Sequence, residues 1–284
     1  MTATIVGKHQ ERTGTRMDLM NIWSVQGQLL LLLLAGVLLR RTGIFAGSTK
    51  MFLTDFIIYV TLPCSIVLSF MMDVALDVLF SLGIALLVSS GIQLFCYGLS
   101  KVLYRSQERR RKGVLRYGIL VSNGGFMGLP VASEIFGPMG LMYASISLIP
   151  QRIVVWTAGL SCFVYEDVSW KQGLRKLALH PGIVSIYIGM VLLLFRITLP
   201  DFLVKTLDSI GACTTPLSMM LVGAIIGEMD RSELKVDLFS LGFSAVRLVF
   251  IPLVSYLGCL LFSVDPEVTG VSVVLAGMPI GSTT

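Results

Sequence analysis

A chain of 284 residues that is 55 % hydrophobic and only 14 % charged, with a mean hydropathy of +0.83, is too apolar for a water-soluble domain and reads as a polytopic helical membrane protein. Its apolar runs are continuous instead of alternating, which argues against a β-barrel. The net charge of +5 comes from Lys and Arg placed between those runs, a topology signal and not a nucleic-acid-binding surface.

Residues 1–21 form a polar N-terminal tail in which no fold is predicted, and Met17 or Met20 would serve equally as the natural start. The first apolar run, Ile22–Leu39, is too long for a signal-peptide core, lacks a small-x-small cleavage site and ends in Arg40-Arg41, so it is read as the first span. Further spans are expected at Met51–Met72, Leu79–Leu99, Tyr117–Phe136, Leu141–Val164, Gly182–Phe195, Leu207–Gly227 and Phe239–Phe262, with a ninth starting near Val268 and cut short by the C-terminus. The sixth is short unless it continues through Arg196 to Leu199. The first, third, fifth and seventh connections hold 3, 7, 3 and 2 Lys and Arg, the others 0, 0, 2 and 0, which predicts cytoplasmic odd loops and an outside N-terminus in the cell membrane. The densest cluster, Arg105–Arg116, is expected to anchor on anionic headgroups of the bilayer.

The fourth span carries the most unusual composition. Ser122-Asn123-Gly124-Gly125-Phe126-Met127-Gly128-Leu129-Pro130 places three glycines, an asparagine and a proline where a purely structural span would carry Leu, Ile and Val. Pro130 supplies no N–H, and glycine tolerates backbone angles that other residues avoid, so this helix is expected to break around Gly128–Pro130, with Gly124 and Gly125 as hinges. In hydrocarbon a broken backbone survives only against protein or a solvated cavity. The ninth span repeats the device in Ala276-Gly277-Met278-Pro279, with Gly277 as the hinge.

Prolines mark a larger symmetry, with Pro63 and Pro216 expected as further helix breaks or hinges. Pro63 and Pro130 in spans two and four are 67 residues apart, and Pro216 and Pro279 in spans seven and nine are 63 apart. The pattern predicts an all-α fold of two inverted five-helix repeats, residues 22–167 and 168–284, the second truncated within helix nine and lacking a tenth span. Half-helices starting at Pro130 and Pro279 would aim the amides of Val131-Ala132-Ser133 and Ile280-Gly281-Ser282, at the positive end of the helix dipole, toward a carboxylate at the midplane.

The candidate substrate-binding residues are therefore Asn123, Gly128, Pro130, Gln151, Arg152 and Pro279. Asn123 offers a donor and an acceptor two turns ahead of Pro130. Arg152 follows Pro150 and Gln151 deep inside span five, where a charge must face a partner or a cavity, and is expected to bind an anion or to pair with Glu134. Glu134 is a candidate coupling site, and Arg247 in span eight either couples or snorkels to the cytoplasmic face. Asp55 is expected to be an interfacial cap. The five cysteines, Cys64, Cys96, Cys162, Cys213 and Cys259, fall in apolar spans without CxxC spacing and are expected to pack; His9 and His180 lie outside the spans, so no metal is expected. No GxxxxGK[ST] signature for ATP is present in the sequence.

Phe56-Ile57-Ile58-Tyr59-Val60-Thr61-Leu62-Pro63, the run Ser122–Pro130 with Phe136-Gly137 and Tyr143, Trp156-Thr157-Ala158-Gly159, His180-Pro181-Gly182 and Thr215-Pro216-Leu217 together resemble the auxin efflux carrier family from about Ile22 to Thr284. The resemblance implies ten spans in two inverted repeats, with spans four and nine crossing at their prolines, and an organic anion as substrate: auxin in plants, malonate or malate in bacterial relatives. The short connection Tyr165–His180 is closer to a prokaryotic permease than to the long-loop plant carriers. Many relatives carry Asn where Arg152 stands, a departure that leaves room for a more strongly anionic substrate. The expected activity is secondary transport and not enzymatic, with no cofactor and no nucleic-acid partner. A coupling proton or sodium ion, a homodimer, an antiporter or symporter of the same fold, and a membrane sensor without transport all stay open at this stage.

Overall fold

The computed structural model describes residues 19–45, 47–72, 76–155, 170–229 and 237–281, and among these the chain is helical, without a named strand. Helix α1 (Leu19–Arg41) is the first span. The second is α2 (Gly47–Phe56) and α3 (Leu62–Ser69), and α4 (Leu76–Leu103) is the third. Then follow α5 (Arg109–Leu120), α6 (Leu129–Ser147), α7 (Ile149–Val154), α8 (Trp170–Ala178) and α9 (Pro181–Leu194). The chain continues through α10 (Asp201–Gly211), α11 (Thr214–Glu228), α12 (Leu238–Ala245), α13 (Ile251–Leu261) and α14 (Pro266–Ala276). Six of the continuous helical runs are long and apolar enough to cross a membrane; α9 and α14 are shorter apolar helices. The protein is thus an all-α multi-pass membrane protein. Residues 1–18, the Trp156–Gly159 motif, Cys162 and Ser282 lie outside the described residues.

Several expected boundaries move for local reasons. The fourth and fifth spans run together as Gly124–Val154, interrupted at Gly137, whose φ of 65° and ψ of −158° only glycine adopts readily, with Pro138 immediately after it. The sixth span does not reach Leu199. It ends at Leu194, and Arg196 turns the chain with a φ of 50°. The seventh span begins earlier than Leu207, at Asp201. Cys213 is exposed at the α10–α11 junction instead of packed, and Asp55 is exposed near the end of α2 and caps no helix among the described residues.

Three spans share a device. A π-helical turn at Ile57–Thr61, Gly124–Gly128 and Val246–Phe250 is followed, two residues on, by Pro63, Pro130 and Pro252. Proline has no N–H to give and its ring presses on the carbonyl one turn back; the wider turn relieves both without ending the helix. Pro63 and Pro130 therefore sit near the start of α3 and α6 in continuous helix.

Packing sorts the helices into two groups. In one, α1 lies on α11, α3 lies on α9 and α10, and α2 leans on α11. In the other, α14 packs on α6, α13 and α4, and α4 packs on α5, α6 and α7. The α1–α11 crossing is a backbone-to-backbone approach: a Cβ at Gly36 would collide with the Met220 carbonyl, and one at Gly223 with that of Leu33. Glu228 at the end of α11 ties the same corner together, 2.8 Å from Lys50 and 3.2 Å from Arg40. Near Pro216, the Ser65 hydroxyl donates to the Gly211 carbonyl (2.8 Å) and lies 2.9 Å from Thr214 Oγ1, holding α3 against the α10–α11 junction. The largest apolar core, including Ile66, Phe70, Leu129, Met142 and Val271, fills the space around α6 where the two groups meet.

Candidate functional site: the helix crossing

Helix α5 ends at Leu120, and Val121–Asn123 leave the helical path before the π turn opens the second half of the span. Helix α14 ends at Ala276, and Gly277 caps it. The two unwound stretches meet. Asn123 N–H donates to the Pro279 carbonyl (2.8 Å), Gly281 N–H donates to that of Val121 (3.2 Å), and Ser122 pairs with Ile280 as an antiparallel bridge. Each break thus supplies the hydrogen-bond partners that the other lacks in hydrocarbon.

The expected location of the first break is corrected by this geometry. Gly128 is helical (φ −67°, ψ −44°) and Pro130 follows in α6, so unwinding occurs about two turns earlier than the proline suggests. Gly128 serves instead as a contact, since a Cβ there would lie 2.6 Å from Leu275 Cδ2 of α14. Gly124 packs under Leu148, and Gly125 faces open space. The new half-helix opens on the Asn123 carbonyl, which accepts from both Met127 N–H (3.0 Å) and Gly128 N–H (3.1 Å). The second break falls where the sequence places it, at Gly277–Pro279.

Side chains cap the carbonyls that the crossing leaves over. Gln93 of α4 donates to the Leu120 carbonyl (2.9 Å), and Arg247, in the π turn before α13, donates to that of Ala276 (3.1 Å). Gln151 forms a reciprocal pair with Ser122: its amide donates to the Ser122 carbonyl and its oxygen accepts from the Ser122 hydroxyl, both at 2.6 Å. Gln93 was not among the expected residues, although it is the lone amide of its span and could have been flagged.

Two small cavities flank the crossing. One, about 40 Å³, lies inside the α4–α7 and α12–α14 group and is lined by Gln93, Cys96, Ser147, Arg247 and Ser272 among others. The other, about 20 Å³, lies between the two groups and is lined by Asn123, Phe126, Lys50 and Thr54 with Leu221 and Val222 of α11. Asn123 and Arg247 therefore serve opposite sides. Arg247 does not snorkel: it is 3 % exposed.

Arg152 is not at the crossing. Its guanidinium sits 2.8 Å from His180 Nδ1 and against Gly182, where a Cβ would collide with it. His180 Nδ1 also accepts from Gly182 N–H (3.2 Å), so its ring proton belongs on Nε2. Burial first, and then the Arg152 charge, pushes the His180 imidazole, in the connection ahead of α9, down to about 4. Glu134 is half-buried on α6 and forms no ion pair among the described residues, with Arg152 or otherwise. No cluster of metal-ligating side chains occurs among the described residues.

The chain is 25 % identical over 206 residues to an uncharacterised transporter of Methanocaldococcus jannaschii, a match that covers 68 % of this chain and 65 % of that protein. Less than two thirds of the relative's length is thus spanned. The family model described as membrane transport protein matches residues 27–283, nearly the whole chain. With that match and the motifs of the second, fourth and sixth spans, the chain belongs to the membrane transport protein family, the auxin efflux carriers.

Proposed function

We propose that this protein is a secondary transporter of small organic anions, either dicarboxylates such as malonate and malate or auxin-like carboxylates, working by alternating access around the crossing. The observation that carries this reading is the Ser122–Ile280 bridge, where two apolar helices unwind against each other. Paired broken helices at the meeting of two repeats are the arrangement in which transporters place their substrate and ion sites, and they support this reading. The substrate position is the junction between the two helix groups beside Asn123, closed here to a cavity of about 20 Å³ that widens as the groups move apart. There the half-helix that opens at Gly124 directs the positive end of its dipole, and Lys50, paired with Glu228, lines the same space. The group bearing the crossing would rock or slide against the α1–α3 and α9–α11 group, exposing that cavity to one side and then the other.

An inverted repeat is supported by the packing. Spans one and seven pair through α1 and α11, and spans six and two pair through α9 and α3, as an exchange of the two repeats requires. The excess of Lys and Arg in odd loops supports an outside N-terminus in the cell membrane.

The test is uptake of labelled malonate, malate and indole-3-acetate by proteoliposomes, with pH and sodium gradients imposed separately to reveal a coupling ion. At least one acid should accumulate, and Asn123→Leu should reduce its flux by about tenfold or more, the loss of one buried amide contact. Vesicles that accumulate none of the three, from protein that remains folded, would overturn the reading.

A further inference from the structure

We propose that the 40 Å³ cavity on the other side of the crossing is a binding site for a small monovalent anion of the halide class, held by Arg247, Ser147 and Ser272. Arg247 is 3 % exposed, and no carboxylate pairs with it among the described residues. Among the described residues its one hydrogen bond, Nη1 to the Ala276 carbonyl, leaves Nε buried without a partner. The hydroxyls of Ser147 and Ser272 line the same cavity, and both are buried without a partner as well. Three residues with unpartnered donors, from α13's leading turn, α6 and α14, thus line one space.

Capping does not explain the charge. At the other broken end Gln93 satisfies the Leu120 carbonyl with a neutral amide, so Ala276 needs a donor and not a cation. The C-terminal dipole of α14 offsets about half a charge at most. A guanidinium so deep in hydrocarbon calls for a counter-charge, and water in the cavity would supply hydrogen bonds without one.

Size selects the class of ligand. Lying within one helix group, the cavity does not widen as the groups move against each other; it exceeds the ~10–15 Å³ that one water requires but holds only about three such volumes, too few for a carboxylic acid with a carbon skeleton. A spherical anion, indifferent to donor direction, suits three N–H and O–H groups arriving from different helices. The site stands apart from the substrate cavity at Asn123, so the proposal does not depend on which anion, if any, is transported.

The experiment is thermal unfolding of the purified full chain in sodium gluconate, titrated with sodium chloride and sodium bromide at constant ionic strength. Chloride and bromide should raise Tm saturably, as ligands of the folded state do. Arg247→Gln should abolish the response, and Ser147→Ala with Ser272→Ala should raise the half-saturating chloride concentration about tenfold or more. If Arg247→Gln does not fold, the serine pair and the wild-type titration still decide. A wild-type Tm indifferent to the choice of anion means that only water occupies the cavity and overturns the proposal; so does a serine double variant whose half-saturating chloride concentration equals that of the wild type.

Discussion

Replacing Gln151 by Leu tests whether the crossing is held by side chains or only by its backbone bridge. The leucine keeps most of the volume but removes two hydrogen bonds of 2.6 Å, leaving the Ser122 carbonyl and hydroxyl unsatisfied. A buried polar group without a partner costs about 1–3 kcal/mol, and the hydroxyl can turn toward another acceptor, so the expected loss is roughly 2–4 kcal/mol. For a chain this long that is a fall in Tm of about 4–16 °C, read by thermal unfolding in detergent. Ser122→Ala removes the hydroxyl bond alone and should cost less. The double variant should fall short of the sum by about 0.5–3 kcal/mol, because both changes break one reciprocal pair. Gln151→Leu protein that unfolds at the wild-type temperature, or strictly additive variants, would refute the idea that Gln151 fastens the unwound segment.

Two further outcomes are expected. Gly223→Val drives a side chain into the Leu33 carbonyl of α1 and should cost about 1–3 kcal/mol or more through overpacking; Gly242→Val, where no atom lies within 4 Å, should be tolerated in the same unfolding assay. The His180 imidazole titrates lower in the folded protein than the ~6.5 of an unfolded chain, so unfolding takes up a proton between those values. Stability should therefore be at its plateau above pH ~6.5 and decline as the pH falls from there toward about 4, by up to ~1.4 kcal/mol per pH unit. His180→Asn should flatten that part of the pH profile.

The sequence is a good guide to where helices are interrupted and a poorer one to what interrupts them. Gly277-Met278-Pro279 marks its break correctly, because Pro279 lacks an N–H and disfavours helical angles at the residue before it, while Gly277 itself keeps right-handed angles (φ −83°). Pro130 misleads, since a π turn absorbs it and α6 runs on. The actual unwinding at Ser122 is paired to Ile280, and a tertiary partner leaves no local signature beyond the small and polar character of Ser122-Asn123-Gly124-Gly125.

The arginines teach a related lesson. Counting residues into a span gives the depth of a Cα but not the direction of a side chain nearly as long as a turn of helix. Arg152, apparently central, reaches back to His180, whereas Arg247, apparently near the cytoplasmic edge, is aimed inward at Ala276. Gly182 explains the first, since only a residue without a Cβ leaves room for the guanidinium. Transport itself was legible only through motifs and family likeness, which carry no information on substrate shape.

The bridge between Asn123 and Pro279 also sets an order of assembly. A ribosome working at ~5–20 residues per second makes the ninth span roughly 8–30 seconds after the fourth. Throughout that wait Val121–Asn123 have no Ile280 to pair with, and a bilayer gives them nothing in exchange. The nascent fourth span must either stay wound as an uninterrupted helix or remain sheltered by the insertion machinery, and it takes its final shape only when the later half of the chain arrives to share its backbone.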